Sequence, residues 1–205
     1  MSDDLEERIF SSAAKAWLTW AVVFILVLVY AYSAGLSFQR MVFGPIPATL
    51  KNFGALDSQL IDGGDWTRLI RSLCLHGDLL HLSFNALALV VLGRIGEGIY
   101  GPWRFFFLLL VSGICGSVLS WAMGASNTVG ASGAIFGLLG ALVIYGWKQR
   151  SELDSELGQA LRKKLAFWGG LNLAVGFAIP FVDNAAHCGG LIGGLLMGMI
   201  LGGRQ

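Results

Sequence analysis

Val129-Gly130-Ala131-Ser132-Gly133-Ala134-Ile135-Phe136-Gly137 opens an apolar run that continues to Trp147. A hydroxyl among small residues at the mouth of a membrane-length segment serves either packing or chemistry. Packing is the default, because Gly and Ser let two helices approach closely. Two further stretches shift that balance. Asn184-Ala185-Ala186-His187-Cys188-Gly189-Gly190 opens another apolar run, and His76 to Asn85 opens a third. A serine, a histidine and several hydrogen-bonding groups, each near the start of a hydrophobic segment, point to nucleophilic catalysis inside a membrane.

Composition supports the membrane half of that reading. Of the 205 residues, 55% are hydrophobic and 13% charged, with a mean hydropathy of +0.68. A soluble domain of this size carries roughly a quarter charged residues. The formal charge of +1 offers no footing for a nucleic-acid partner. Cys74, Cys115 and Cys188 are an odd number and read as small apolar residues rather than a disulfide framework. The apolar run from Ala16 is too long for a cleavable signal, and no small-residue cleavage site follows a basic start.

A spanning helix needs about 20 mostly apolar residues. Six stretches qualify approximately: Ala16–Gly35, Leu79–Glu97, Trp103–Met123, Gly130–Trp147, Leu165–Phe181 and Ala185–Gly202. The one long connection, 36–78, is too polar to span, and Pro45, Pro47 and Gly63-Gly64 break it into short pieces. Its Phe38, Met41, Val42, Phe43, Ile46, Leu69 and Ile70 suit a loop lying partly in the interface, though a soluble cap would read the same. With the N-terminus inside, ten Lys and Arg fall in cytoplasmic segments, and only Arg40, Lys51, Arg68 and Arg71 fall outside. The expectation is an all-α, polytopic membrane bundle of six transmembrane helices. A short cytoplasmic tail (1–15) precedes one membrane domain (16–202), and both termini are cytoplasmic. Spans two, four and six then all run inward, so His81, Asn85, Ser132 and His187 lie at similar depth below the outer surface.

That shared depth has chemical content. Serine is a weak nucleophile until a base takes its proton, and histidine is the usual base. A tetrahedral intermediate needs donors aimed at its oxyanion. The backbone N–H of Ser132, at a helix start, has no intrahelical partner and can supply one. His81 and Asn85 are four apart, share a helix face and can supply side-chain donors. Asp183 precedes His187 by four residues at the helix entrance, so no carboxylate orients the base and a Ser132–His187 dyad fits. The packing explanation of Ser132 assists this one. Gly133 and Gly137 form a small-residue face, Gly190, Gly194 and Gly198 form a matching one, and two such faces bring spans four and six close. Cys188 reads as packing, Glu97 and Arg68 as structural anchors, and His76 equally as a solvated loop residue.

Gly130-Ala131-Ser132-Gly133, the run from His76 through His81 to Asn85, and Ala186-His187-Cys188-Gly189-Gly190 together resemble the rhomboid family of intramembrane serine proteases. The six spans and long first loop resemble its minimal bacterial form, which implies a bacterial inner (plasma) membrane. The resemblance implies Ser132 as nucleophile and His187 as general base, with His81, Asn85 and the Ser132 amide around the oxyanion. It also implies His76 beside the water route, Gly130 passing close to the substrate carbonyl, and span five as a lateral gate. Two departures stand out. The family's Trp-Arg pair is split here as Trp66-Thr67-Arg68. Phe136 stands where many members have tyrosine, so it can stack on the histidine without donating a hydrogen bond.

Rival classes fare worse. There is no HExxH motif and no acidic ligand at the depth of the histidines, so no metal or other cofactor is expected. No aspartate lies within a span, which removes an aspartyl protease. The serious alternative is a rhomboid-like pseudoprotease that binds membrane helices without cleaving them, and the retention of all four polar groups argues against it. The expected partners are transmembrane protein substrates, cut near the outer end of their helix after a small residue, and the lipid bilayer.

Overall fold

Apolar composition makes the helices, and small residues decide how they meet. The computed structural model describes residues 13, 15–149, 159, 163, 167, 169–170 and 182–201. In chain order these form α1 (Trp17–Ser33), α2 (Phe38–Phe43), α3 (Pro47–Phe53), β1 (Leu56–Asp57), α4 (Ser58–Asp62) and α5 (Arg68–Arg71). Then come α6 (Leu79–Tyr100), α7 (Pro102–Ala122), β2 (Ser126–Thr128), α8 (Ser132–Lys148) and α9 (Asn184–Ile200). Helix α6 contains a π turn at Leu89–Gly93. Two helices, α6 and α7, have the length and hydropathy to cross a membrane unaided, while α1, α8 and α9 are shorter apolar helices. Span five, Leu165–Phe181, and its role as a gate lie outside the described residues apart from Phe167, Gly169 and Gly170, as does most of the tail 1–15.

Helix α8 is the axis. Every residue from Gly133 to Leu142 is buried, as is Tyr145. A helix apolar on all sides belongs in a core, and α8 packs most extensively on α9 and α7. The contacts are backbone on backbone. A Cβ on Gly190 would overlap the Gly133 carbonyl, one on Gly194 would overlap the Gly137 carbonyl, and one on Gly198 would come within 2.8 Å of the Ala141 Cα. On the other side of α9, a Cβ on Gly189 would sit 2.6 Å from the Cys115 carbonyl oxygen of α7. The two expected glycine faces therefore meet, and α7 closes against them.

Helix α1 is attached differently. Glu97, 4% exposed near the end of α6, accepts from the backbone N–H groups of Leu18 (3.0 Å) and Thr19 (2.7 Å) and from the Thr19 hydroxyl (2.8 Å). A buried carboxylate thus satisfies donors that the first turn of α1 would otherwise leave unpaired.

The outer loop is anchored rather than free. Strands β1 and β2 form a two-stranded antiparallel ladder, with Leu56 opposite Thr128 and Asp57 opposite Ser126. The all-α expectation missed this ladder, which ties the loop to the α7–α8 connection. Buried Arg68 donates to the carbonyls of Lys51 (2.8 Å) and Ala55 (2.7 Å) and pairs with Asp65. Phe38, Phe43 and Ile46 are exposed.

Two outcomes are expected from this packing. Gly194→Ala forces a methyl into the α8 backbone and should cost about 1–3 kcal/mol. Gly146→Ala, where the added methyl meets nothing within 4 Å, should be neutral or stabilise by up to ~1 kcal/mol through helix propensity. Thermal unfolding in detergent distinguishes them, and equal melting temperatures would separate the glycine seam from stability. The loop gives a pH prediction. The Lys51 ammonium bonded to Asp57 at 2.7 Å holds this carboxyl below its ordinary value, and the Leu60 amide and Ser126 hydroxyl add to the effect. Because the folded pKa is depressed, the stabilisation is present above the unfolded value near 3.9 and is lost as pH falls below it. Amide exchange across β1 and α4 should accelerate in that acid window, and Asp57→Asn should abolish the pH dependence.

Candidate active site

The chain reaches Ser132 through a strained approach. Gly130 has φ +129°, a conformation that L side chains rarely adopt, and its N–H donates to the Ser72 carbonyl at 3.0 Å. Helical geometry starts only at Ser132, two residues later than the apolar run implies, because Gly130 cannot be helical in that conformation. Ser132 is consequently the first residue of α8, with its N–H in the set that lacks intrahelical partners.

Histidine 187 comes from the first turn of α9. Its Nε2 lies 2.8 Å from the Ser132 Oγ. Its ring stacks on Phe136, with centroids 4.2 Å apart and planes inclined by 23°. Its Nδ1 is buried and has no hydrogen-bond partner among the described residues. Asp183 is engaged elsewhere: it caps α9 by accepting from the Ala186 N–H at 2.9 Å, and it accepts the Ser120 hydroxyl. Ser132 and His187 thus face each other, with no carboxylate on the imidazole among the described residues.

The first turns of α6 face the same point. Asp78 caps this helix by accepting from the His81 N–H at 2.7 Å. A Cβ on Gly130 would sit 2.8 Å from His81 Nε2 and 3.8 Å from Ser132 Oγ, so the absence of a side chain at Gly130 leaves open the space between them. Asn85, 5% exposed, donates one amide hydrogen to the His81 carbonyl at 2.9 Å, and its Oδ1 has no partner among the described residues. His76 is not a solvated loop residue: it is 0% exposed, edge-on to His81 with centroids 5.1 Å apart. Burial, reinforced by neighbouring His81, pushes its imidazole pKa down to about 3, so it is neutral at physiological pH. Contacts thus link Ser132, His187, Phe136, Gly130, His81 and His76, while the Asn85 side chain is seen against the His81 carbonyl of its own helix.

Two parts of the surroundings were not anticipated. The Ser72 carbonyl that holds Gly130 is a backbone group and carries no signature in sequence. The Ser120–Asp183 contact was accessible in part, because an aspartate just before an apolar run is a helix-start signal. No group of three or more metal-ligating side chains occurs among the described residues.

A family model described as the Rhomboid domain matches residues 63–204. The chain is 40% identical over 154 residues to the Rhomboid protease GluP of Bacillus subtilis, covering 75% of this chain and 30% of that protein. It is 39% identical over 176 residues to RHOMBOID-like protein 5 of Arabidopsis thaliana, covering 81% and 55%. It is 34% identical over 142 residues to Rhomboid-type serine protease 2 of Emericella nidulans, covering 65% and 26%. The chain therefore spans between about a quarter and just over half of the length of these relatives. With the domain matched over more than half of its residues and its motifs gathered at one point, the chain is an integral membrane protein of the rhomboid family.

Proposed function

We propose that this chain is an intramembrane serine endopeptidase that cleaves transmembrane substrates near the outer end of their membrane helix. The observation that carries the reading is the 2.8 Å contact between His187 Nε2 and Ser132 Oγ, within the range of a working nucleophile–base pair. Neutral His187 takes the Ser132 proton as Oγ attacks the scissile carbonyl. The oxyanion faces the Ser132 N–H and the side chains of His81 and Asn85. Collapse expels the amine, which takes the proton from His187 and leaves an acyl-serine. A water activated by the same histidine then releases the acid. Gly130 leaves room for the substrate backbone, and neutral His76 backs His81 beside the water route.

The finer topology belongs to the same proposal. The fold crosses the membrane six times, both termini are cytoplasmic, and the site opens outward, in a bacterial plasma membrane. The charge bias supports this orientation, with five of the fourteen Lys and Arg residues between Lys148 and Lys164. Partners are membrane-spanning proteins and the bilayer, and the chemistry requires no cofactor. The second reading is a rhomboid-like pseudoprotease that binds such helices uncut. The 2.8 Å approach of His187 Nε2 to Ser132 Oγ, with the imidazole held flat on Phe136, favours a reacting site over a packing seam.

A fluorophosphonate probe decides between the two. It should label the wild-type protein at Ser132 and fail on Ser132→Ala and on His187→Ala, although the latter keeps its hydroxyl. Labelling should weaken as His187 becomes imidazolium in acid. Wild-type protein that resists the probe and cuts no membrane substrate would favour the pseudoprotease. Loss of one oxyanion donor typically costs on the order of 100- to 1000-fold. His81→Ala and Asn85→Ala should each cost less than that, because three donors share the charge, and the double variant should be slower than either. Unchanged turnover in the double variant would remove both side chains from the oxyanion.

A further inference from the structure

We propose that Ser120 and Asp183 are positioning residues for the base, fixing the turn of α9 from which His187 reaches Ser132; this rests on the hydrolase reading above. Ser120, 0% exposed in the last turn of α7, donates its hydroxyl to Asp183 Oδ2. Asp183 Oδ1 accepts from the Ala186 N–H at 2.9 Å, and the Asp183 carbonyl accepts from the His187 N–H at 3.2 Å. One side chain of α7 is therefore linked, through a single aspartate, to the backbone of Ala186 and His187.

Ala186 is also clamped from both sides. The Ala186 carbonyl oxygen lies 2.6 Å from where a Cβ on Gly116 of α7 would stand, and 3.2 Å from one on Gly133 of α8. This matters because, among the described residues, nothing bonded to Nδ1 sets the rotation of the His187 ring. The ring is aimed by the Phe136 stack, the Ser132 hydroxyl and the position of its own backbone. Backbone position in the first turn of a helix is what an N-cap controls. Asp183 thus acts through geometry, with both carboxylate oxygens occupied away from the imidazole.

Asparagine caps a helix as well as aspartate does and can bond the Ser120 hydroxyl, but carries no charge. The test uses the full chain in detergent, measuring the fluorophosphonate inactivation constant kinact separately from KI, together with amide exchange at Ala186 and His187. Misplacing a reacting group by about 1 Å can cost on the order of 100-fold. Asp183→Ala and Ser120→Ala should therefore lower kinact by roughly 10- to 100-fold with KI unchanged, and both amides should exchange faster. Asp183→Asn should restore both. If Asp183→Ala does not fold, Ser120→Ala and Asp183→Asn still decide the matter. Wild-type kinact in Ser120→Ala, a change confined to KI, or an asparagine variant whose kinact is as low as that of the alanine variants would each overturn the proposal. In those cases the wild type is labelled and the hydrolase reading stands. A wild type that is never labelled overturns that reading instead, and with it the catalytic meaning of this contact.

Discussion

Where Gly194 meets the carbonyl of Gly137, two helices touch with no side chain between them. Lipid tails are as apolar as leucine, so helices in a bilayer gain little by hiding apolar surface from each other; close van der Waals contact has to hold them. The Gly133–Gly190 and Ala141–Gly198 contacts repeat the approach one turn on either side. A hydroxyl on α8 and an imidazole on α9 can span the gap at 2.8 Å only because the axes are this close. The seam that makes the bundle also brings Ser132 and His187 together.

Polar groups are costly in such an interior, and most of the buried ones are committed to structure. Glu97 caps α1, while at the surface Lys148 Nζ donates to the last carbonyls of α9 at Gly198 (3.0 Å) and Met199 (2.7 Å). Asp57 and Arg68 fasten the outer loop. Among the described residues several buried polar atoms have no such commitment, and besides His187 Nδ1 and Asn85 Oδ1 they include Ser72 Oγ, Ser112 Oγ and both ring nitrogens of His76.

Much of this was readable in the sequence, for physical reasons. Apolar length marks spans, and α1, α6, α7, α8 and α9 begin and end within a few residues of the expected bounds. The i, i+4 glycines on two segments announced the seam, and the cost of intramembrane polar groups singled out Ser132 and His187. Other features were hidden because backbone groups make them. The Leu56–Thr128 pairing and the Gly130 N–H to Ser72 carbonyl bond use atoms that every residue carries. His76 stayed ambiguous because its position outside an apolar run suited water as well as the site, and only the fold shows it buried against His81. Glu97 was recognisable as an anchor, but its partners, 78 and 79 residues away in the chain, were not.

The outer loop has one further property. Before Gly63-Gly64 it is held by the ladder to β2 and by Ser58, whose hydroxyl bonds the Trp121 and Ala125 carbonyls. After it, Arg68 grips two carbonyls and Ser72 grips Gly130. Between these attachments Asp62, Gly63 and Gly64 are exposed, and nothing stands within 4 Å of where a Gly64 Cβ would be. The turn is held by its own backbone hydrogen bonds, such as that from the Asp65 N–H to the Leu60 carbonyl at 3.0 Å, and by the Asp62 carboxylate, which accepts from the Trp121 indole N–H at 2.8 Å. Exposed loop tips of small residues are where insertions are best tolerated, so the natural place to attach a reporter to this molecule is the open side of Gly64.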